Sequence, residues 1–143
     1  MQGFSYAVLL TPDPTDGGFV VSCRDIPELV TQGESIEDAI DQAEGALEAA
    51  IEMRIEDGID IPLPSARRRA EYVARLPVAA AMKTALYLAM REQGISKMEL
   101  ARRMQLDEKE ARRMLDPKHA TKVPALERAL HVLGKRVAVV VVD

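Results

Sequence analysis

Five of the six cationic side chains in the stretch from Ser96 to Leu115 form one group with the chemistry needed to hold nucleic-acid phosphates. An arginine guanidinium can also donate two parallel hydrogen bonds to the edge of a guanine in the major groove of DNA. The five cations are Arg102, Arg103, Lys109, Arg112 and Arg113. We expect the last three to enter the groove.

A second group of polar residues flanks these cations and can contact the DNA backbone. Such contacts orient a protein on the duplex without reading its sequence. The imidazole of His119 can equally be a neutral loop group without a contact. If about six cations per dimer neutralise phosphates, log affinity should fall against log salt with a slope of about −5. The backbone candidates are Lys97, Lys118, His119, Thr121 and Lys122.

Two short helices joined by a tight turn must position these side chains. Ser96 with Glu99, and Asp107 with Glu110, each have the spacing of a capping box, so a helix begins at each pair. This pattern is typical of a helix-turn-helix, although a helical hairpin with a solvated basic face would share it. Gln105 occupies the turn position where glycine is commonest, so we expect a positive φ there. The apolar inner positions are Leu100, Ala101, Met104, Leu106, Ala111, Met114 and Leu115.

Composition excludes several classes of protein. Aromatic residues make up only 3% of the 143 residues and tryptophan is absent, so a base-stacking surface for single strands is poorly supported. Cys23 is the single cysteine, which excludes an internal disulfide and a thiolate zinc site, and we expect no metal or cofactor. No apolar run approaches the roughly 20 residues of a membrane span. We expect a cytoplasmic protein without a membrane partner.

Charge divides the chain into two parts of opposite sign. Residues 1–64 contain 2 cations and 14 carboxylates, a net charge of −12, whereas residues 65–143 contain 17 cations and 9 carboxylates, a net charge of +8. The basic part suits DNA, and the acidic part suits a cationic protein surface or simply maintains solubility. We expect an N-terminal module at 1–64, a linker with a short strand at 65–77, and a DNA-binding and dimerisation module at 78–143.

The acidic module has the pattern of an α+β fold. Residues 4–10, 18–24 and 29–32 are strand-like runs, and a turn-forming segment separates the first two. Apolar residues at helical spacing then run from Ser35 to about Asp57, and Gly58 ends the helix. The pattern predicts a small three-stranded antiparallel sheet with one long helix across it. The basic run Arg67, Arg68 and Arg69 that follows is typical of a solvated linker.

The basic module is predicted to be mostly helical and to end in a strand. A short strand at 72–76 precedes a helix at about 78–93, the two short helices within 96–115 and a helix at about 124–133. Residues 136–142 are almost entirely β-branched, and a strand of that composition needs a pairing partner. We expect it to pair with residues 72–76 or with its equivalent in a second subunit, giving a homodimer or a dimer of dimers.

The order of these motifs resembles the HicB antitoxin family. The resemblance rests on the glycine-containing hairpin FSYAVLLTPDPTDGGFVVSC, the segment DIPELVTQGES and the acidic helix that follows, together with ALYLAMREQGISKMELARRM, LDPKHATKV and LERALHVLGKR. It implies a non-enzymatic antitoxin whose degraded RNase H-like N-terminal domain masks a HicA-like mRNA-cleaving toxin. It also implies a C-terminal helix-turn-helix that binds operator double-stranded DNA and represses their shared operon.

Six carboxylates in the acidic module are the candidates for contact with the toxin. A toxin that cleaves mRNA must carry cations for phosphates, so an acidic inhibitor can compete for the same surface. Two other classes stay open: a ligand-responsive transcription regulator, and a nuclease using Asp13, Asp16 and Asp25 to hold magnesium. The toxin-binding candidates are Asp25, Glu28, Glu37, Asp41, Glu44 and Glu48.

Overall fold

The computed structural model describes residues 3–143 and confirms the α+β class. The chain divides into two compact units, residues 1–77 and residues 78–143. The first unit contains β1 (Ser5–Pro12), β2 (Phe19–Ser22), β3 (Val30–Gly33), α1 (Ile36–Asp57) and β4 (Tyr72–Arg75). The second contains α2 (Val78–Gln93), α3 (Lys97–Met104), α4 (Glu108–Leu115) and α5 (Val123–Val132).

The first unit is an antiparallel sheet in the order β3-β2-β1-β4, with α1 packed against it. The strand predicted at 72–76 is present as β4, but the prediction of its pairing with residues 136–142 was wrong: it pairs with β1, with Ala74 opposite Tyr6, so the sheet has four strands and not three. The long helix begins where Ser35 accepts a hydrogen bond from the Asp38 amide, and it ends at Gly58, as the sequence indicated. Gly33 lets α1 approach β3, because a Cβ at this position would collide with the backbone of Ala39.

The second unit packs its helices around buried leucines, among them Leu86, Leu100 and Leu126. Both predicted helix starts are confirmed. The Ser96 hydroxyl accepts from the Glu99 amide at 3.0 Å, and the Asp107 carboxylate accepts from the Glu110 amide at 2.8 Å. Each cap satisfies an amide that the first turn would otherwise leave unpaired.

The turn between α3 and α4 has the strained backbone that its sequence predicted. Gln105 has φ 56° and ψ 44°, and it is the non-glycine residue with positive φ in the part of the chain that the structure describes. Its amide donates to Ala101 and Arg102, so the residue ends α3 in the way that glycine usually does. For a residue with a Cβ, this left-handed conformation is about 1 kcal/mol less stable than the right-handed one.

Gln105→Gly is therefore expected to raise the free energy of unfolding by several tenths to about 1 kcal/mol, because the gain in the turn exceeds the flexibility that glycine adds to the unfolded chain. Chemical denaturation of the full chain measures this. Gln105→Ala is the matched control: it removes the same amide group but keeps the Cβ, so it should give no gain. Equal effects of the two substitutions would contradict the strain at this position.

The predicted C-terminal strand is not present in the chain by itself. Residues 136–143 have no regular secondary structure, and Val139, Val140 and Val141 are more than 70% exposed. A β-branched run becomes a strand only when another strand supplies hydrogen-bond partners. In this single chain β4 is paired with β1, and the valine run has no partner strand among residues 3–143.

Candidate functional surfaces

The exposed face of α4 brings together the three residues predicted for the groove. This helix buries Ala111, Met114 and Leu115 and leaves its other side to solvent. Because positions three and four apart share a helix face, the three cations form one basic face. Within residues 3–143 these side chains have no hydrogen-bond or ion-pair partner, so their charges are available to an anion. The basic face of α4 consists of Lys109, Arg112 and Arg113.

The two arginines of α3 form ion pairs with a carboxylate of their own helix, which those of α4 do not do within residues 3–143. Glu99 accepts from Arg102 at 2.5 and 2.8 Å and from Arg103 at 3.1 Å. The hydrogen bonds from both arginines, Arg102 first, lower the pKa of Glu99 to about 2. One carboxylate thus offsets part of the positive charge of this helix, which leaves α4 as the better candidate for DNA.

The loop after α4 carries four of the predicted backbone contacts. The backbone amide of Lys118 donates to the Asp116 carboxylate at 3.0 Å, and the side chains of Lys118, His119 and Lys122 are exposed. Thr121 differs, because its hydroxyl donates to the Arg113 carbonyl at 3.3 Å and so connects the loop to α4. The structure therefore joins this loop to the end of the basic face of α4.

The remaining backbone candidate, Lys97, lies apart from this group. It is the first residue of α3 and is exposed. Among residues 3–143 it takes no part in the hydrogen bonds that connect the loop to α4. Its ammonium stands at the N-terminal end of a helix, where the backbone already carries partial positive charge, so the two add in attracting an anion.

Four of the predicted toxin contacts form one line along α1. Helical geometry places residues separated by four, three and four positions on one face, away from the buried Ala39, Ala43 and Leu47. Glu37 and Asp41 are exposed, and Glu44 and Glu48 are half-buried. The acidic stripe of α1 consists of Glu37, Asp41, Glu44 and Glu48.

The acidic stripe of α1 lies on the side of the helix that faces strand β4. The carboxylate of Glu44 accepts a hydrogen bond from the backbone amide of Arg75 at 2.8 Å. Because β4 is at the edge of the sheet, this amide is not needed by another strand. The stripe therefore borders the open edge of the sheet, and negative charge is concentrated at that border.

The other two predicted toxin contacts form hydrogen bonds inside the unit. Asp25 accepts from the amide and hydroxyl of Ser65 at 2.8 and 2.6 Å. Glu28 accepts from Arg54 through both carboxylate oxygens at 2.6 and 2.7 Å, and this bidentate pair lowers the pKa of Glu28. These carboxylates hold the irregular segment 58–71 and the end of α1 in place.

A second ion pair that the sequence did not predict holds the same segment. Arg24 donates to the buried Glu71 at 2.8 and 2.9 Å and to the Ala66 carbonyl at 2.6 Å. The side-chain hydrogen bond from Arg24 is the main reason why the pKa of Glu71 falls to about 2. Arg24 and Glu71 are 47 residues apart, so no local pattern connects them.

A buried lysine is the main polar residue that sequence reasoning missed in the second unit. Lys83 is 4% exposed and donates hydrogen bonds to backbone carbonyls beyond α4. A local signal was available, because Lys83 is the one charged residue in the stretch VAAAMKTALYLAM at 78–90. A charge in the middle of an apolar helix indicates either a buried partner or a functional group.

Residues 3–143 contain neither a candidate metal-binding cluster nor a helix that could span a membrane. Residues 3–143 contain no cluster of three or more His, Cys, Asp or Glu side chains that could hold a metal ion. Of the three acids considered for a nuclease, Asp13 accepts from the amides of Thr15 and Asp16 and shapes the β1–β2 turn. No helix among the described residues is both long and apolar enough to cross a bilayer.

Comparison with known proteins shows the family to which this chain belongs. A family model described as the HicB-like antitoxin of bacterial toxin-antitoxin systems matches residues 5–85, more than half of the chain. The chain belongs to the HicB antitoxin family. The matched region contains the whole of the first unit's sheet and helix, including β4 and the acidic stripe of α1. This confirms the resemblance inferred from the N-terminal motifs.

Full-length relatives extend this similarity over both units of the HicB-family chain. Antitoxin HicB of Escherichia coli K12 is 39% identical over 137 residues, covering 96% of this chain and 99% of the relative. Antitoxin HicB of Pseudomonas fluorescens Pf0-1 is 36% identical over 135 residues, covering 94% and 91%. Antitoxin HicB 2 of Photorhabdus laumondii is 34% identical over 141 residues, covering 99% of both chains. An antitoxin role follows from the family.

Proposed function

We propose that residues 1–77 bind and mask a HicA-type mRNA-cleaving toxin and that residues 78–143 bind operator DNA and repress the operon. The observation that carries this proposal is the separation of charge between the two compact units. Residues 1–77 contain 6 cations and 15 carboxylates, a net charge of −9, and residues 78–143 contain 13 cations and 8 carboxylates, a net charge of +5. Opposite charges suit a cationic toxin and an anionic duplex.

The toxin contact is proposed for the acidic stripe of α1 and the neighbouring edge of the sheet. Asp25 and Glu28 contribute less directly, because their carboxylates already bind Ser65 and Arg54. A ribonuclease needs a cationic surface to hold RNA phosphates, and the carboxylates of the acidic stripe compete for that surface. Uncharged side chains packed around the ion pairs between antitoxin and toxin would then exclude the RNA substrate from the toxin's surface. Inhibition of this kind requires no catalysis by the antitoxin.

The DNA contact is proposed for a helix-turn-helix formed by α3 and α4, with α4 in the major groove. The basic face of α4 reads base edges, and Lys97, Lys118, His119 and Lys122 contact the backbone. Glu108 and Glu110 in the first turn stabilise the helix through its dipole and weaken phosphate binding nearby. The three exposed cations of α4 outnumber these two carboxylates. Operator binding is therefore expected to fall steeply with salt.

Co-expression with a HicA-type toxin from the same organism tests the proposed function. An affinity-tagged chain should recover the toxin in stoichiometric amount and abolish its cleavage of an mRNA probe. The purified complex should also retard a duplex from the promoter region of the operon. Recovery of the chain alone, with the toxin still active, would contradict the neutralising role. Retention of toxin without any retardation at low salt would contradict the repressor role alone.

The repressor is proposed to act as a homodimer or a dimer of dimers through its C-terminal valines. Val139 to Val142 are exposed in the single chain, and a second copy can supply the missing partner strand. A twofold arrangement would also present two copies of α4 to a two-sided operator.

Deletion of residues 136–143 is expected to convert the dimer to a monomer and to weaken operator binding by at least about 100-fold, since each monomer retains only one reading helix. Sedimentation of the full and shortened chains measures the change. A chain that lacks only Asp143 is the control and should remain a dimer. A dimer that survives the longer deletion would show that another surface holds the subunits together.

A further inference from the structure

The ammonium group of Lys83 lies at the junction between α4 and the loop that follows it. Lys83 belongs to α2 and is 4% exposed. Its Nζ donates to the carbonyls of Arg113 at 3.2 Å and Asp116 at 2.5 Å, and also to the carbonyl of His119. A lysine ammonium has three N–H donors, and here each can be directed to one carbonyl.

Core packing alone does not account for a lysine at this position. Burying an ammonium group is strongly unfavourable before its hydrogen bonds are counted, whereas methionine would fill a similar volume without that desolvation cost. Burial lowers the pKa of Lys83, and Asp116 opposes this shift. The three carbonyls supply partial negative charge at the C-terminal end of α4, which is where a helix dipole favours a cation. The hydrogen bonds to these three carbonyls therefore explain why a lysine occupies this buried position.

The three acceptors belong to different parts of the same surface. The Arg113 carbonyl is in the last turn of α4, Asp116 is the residue that caps this helix, and His119 is in the middle of the loop. One ammonium therefore sets the distance between the end of the basic face of α4 and the loop. Thr121 adds a weaker connection through its hydrogen bond to the Arg113 carbonyl.

We propose that Lys83 is a positioning residue for DNA binding, which holds the loop 116–122 against the C-terminal end of α4. The inference rests on the proposed operator binding. Lys83 does not contact DNA itself, because its side chain is buried. It places Lys118, His119 and Lys122 so that they meet phosphates while α4 occupies the groove. Without it, the loop samples other positions and these phosphate contacts are lost even though the helices remain folded.

The test compares Lys83→Met and Lys83→Gln with Thr84→Val in the full-length chain. Glutamine keeps a polar donor without the charge, so a methionine variant that fails to fold does not end the experiment. Thr84 is the matched control, since it is equally buried in α2 and its hydroxyl donates to Ala80 within the same helix. Thr84→Val therefore loses a buried hydrogen bond without touching the loop.

Two measurements separate positioning from general destabilisation. The first is hydrogen exchange of the amides in residues 116–122, which does not depend on DNA. The second is the salt dependence of affinity for a mixed-sequence 20-base-pair duplex, whose slope counts phosphate contacts. In folded Lys83 variants we expect loop exchange at least about 10-fold faster and a salt slope reduced in magnitude by about 2 for each chain. Thr84→Val should retain the wild-type slope and loop exchange.

The outcomes distinguish this inference from the proposed function. Wild-type loop exchange and an unchanged salt slope in a folded Lys83 variant would overturn the positioning role and leave operator binding standing. Faster loop exchange with an unchanged slope would also overturn it, because the loop would then be irrelevant to phosphate contact. If the wild-type chain does not bind DNA at low salt, the proposed repressor function fails instead, and the exchange measurement still shows whether Lys83 holds the loop.

Discussion

Replacing Arg112 and Arg113 together by alanine is expected to weaken operator binding by about 30-fold to 1000-fold, which corresponds to roughly 2 to 4 kcal/mol. Both guanidinium groups are exposed on α4, and within the described chain neither has an internal partner that would compete with DNA. Removing them costs the helix little stability, because neither side chain is buried and alanine favours helix. Toxin neutralisation should be unchanged. Fluorescence anisotropy with an operator duplex measures the first effect, and an mRNA cleavage assay measures the second.

The matched control for this prediction is Arg102→Ala with Arg103→Ala. This pair removes the same charge from α3, where Glu99 already binds both guanidinium groups. We expect a loss of at most about 10-fold, because only the long-range attraction to DNA is reduced. Equal losses for the two pairs would mean that net charge, and not the basic face of α4, determines affinity. Loss of both DNA binding and neutralisation in a folded α4 variant would contradict separate roles for the two units.

Charge reversal at Asp41 and Glu48 is expected to weaken toxin binding by at least about 100-fold and to leave DNA binding intact. Both residues belong to the acidic stripe of α1, and lysine at these positions would repel the cations of a ribonuclease. Like charges facing each other across an interface cost several kcal/mol. Isothermal titration of the purified toxin into the antitoxin measures the loss, and circular dichroism verifies that α1 remains folded.

Asp16→Lys with Asp57→Lys provides a control of equal charge change. Asp16 is in the β1–β2 turn and Asp57 is the last residue of α1, and both are exposed. These substitutions make the unit less acidic by the same amount without altering the stripe. We expect them to slow toxin association and to change the equilibrium affinity by less than about 10-fold. If the control pair weakens binding as strongly as the stripe pair, the toxin contacts a different face of the unit.

Local features of this protein followed from the sequence because each depends on residues three or four positions apart. The caps at Ser35, Ser96 and Asp107 and the positive φ at Gln105 all form within one turn of chain. Such contacts are nearly independent of the rest of the fold. The charge difference between the two parts also follows directly from composition. The grouping of three cations on α4 and of four carboxylates on α1 followed from helical periodicity in the same way.

The tertiary structure alone decided which polar groups remain available to a partner. Residues 72–75 join the sheet through hydrogen bonds to β1, across more than 60 residues of chain, and their short sequence carries no signal for that pairing. Glu28 resembles the acids of α1 in sequence, yet it binds Arg54, 26 residues away. Lys83 finds its three carbonyls 30 to 36 residues later in the chain.

Sequence therefore determined where the helices begin and end and which sign of charge each unit carries. Tertiary structure decided which of those charges are already paired, which strand is the fourth of the sheet, and which lysine is buried. The physical reason is distance along the chain. A capping hydrogen bond is specified by a few neighbouring residues, whereas an ion pair between distant residues exists only after strands and helices have packed and brought the two groups within about 3 Å of each other.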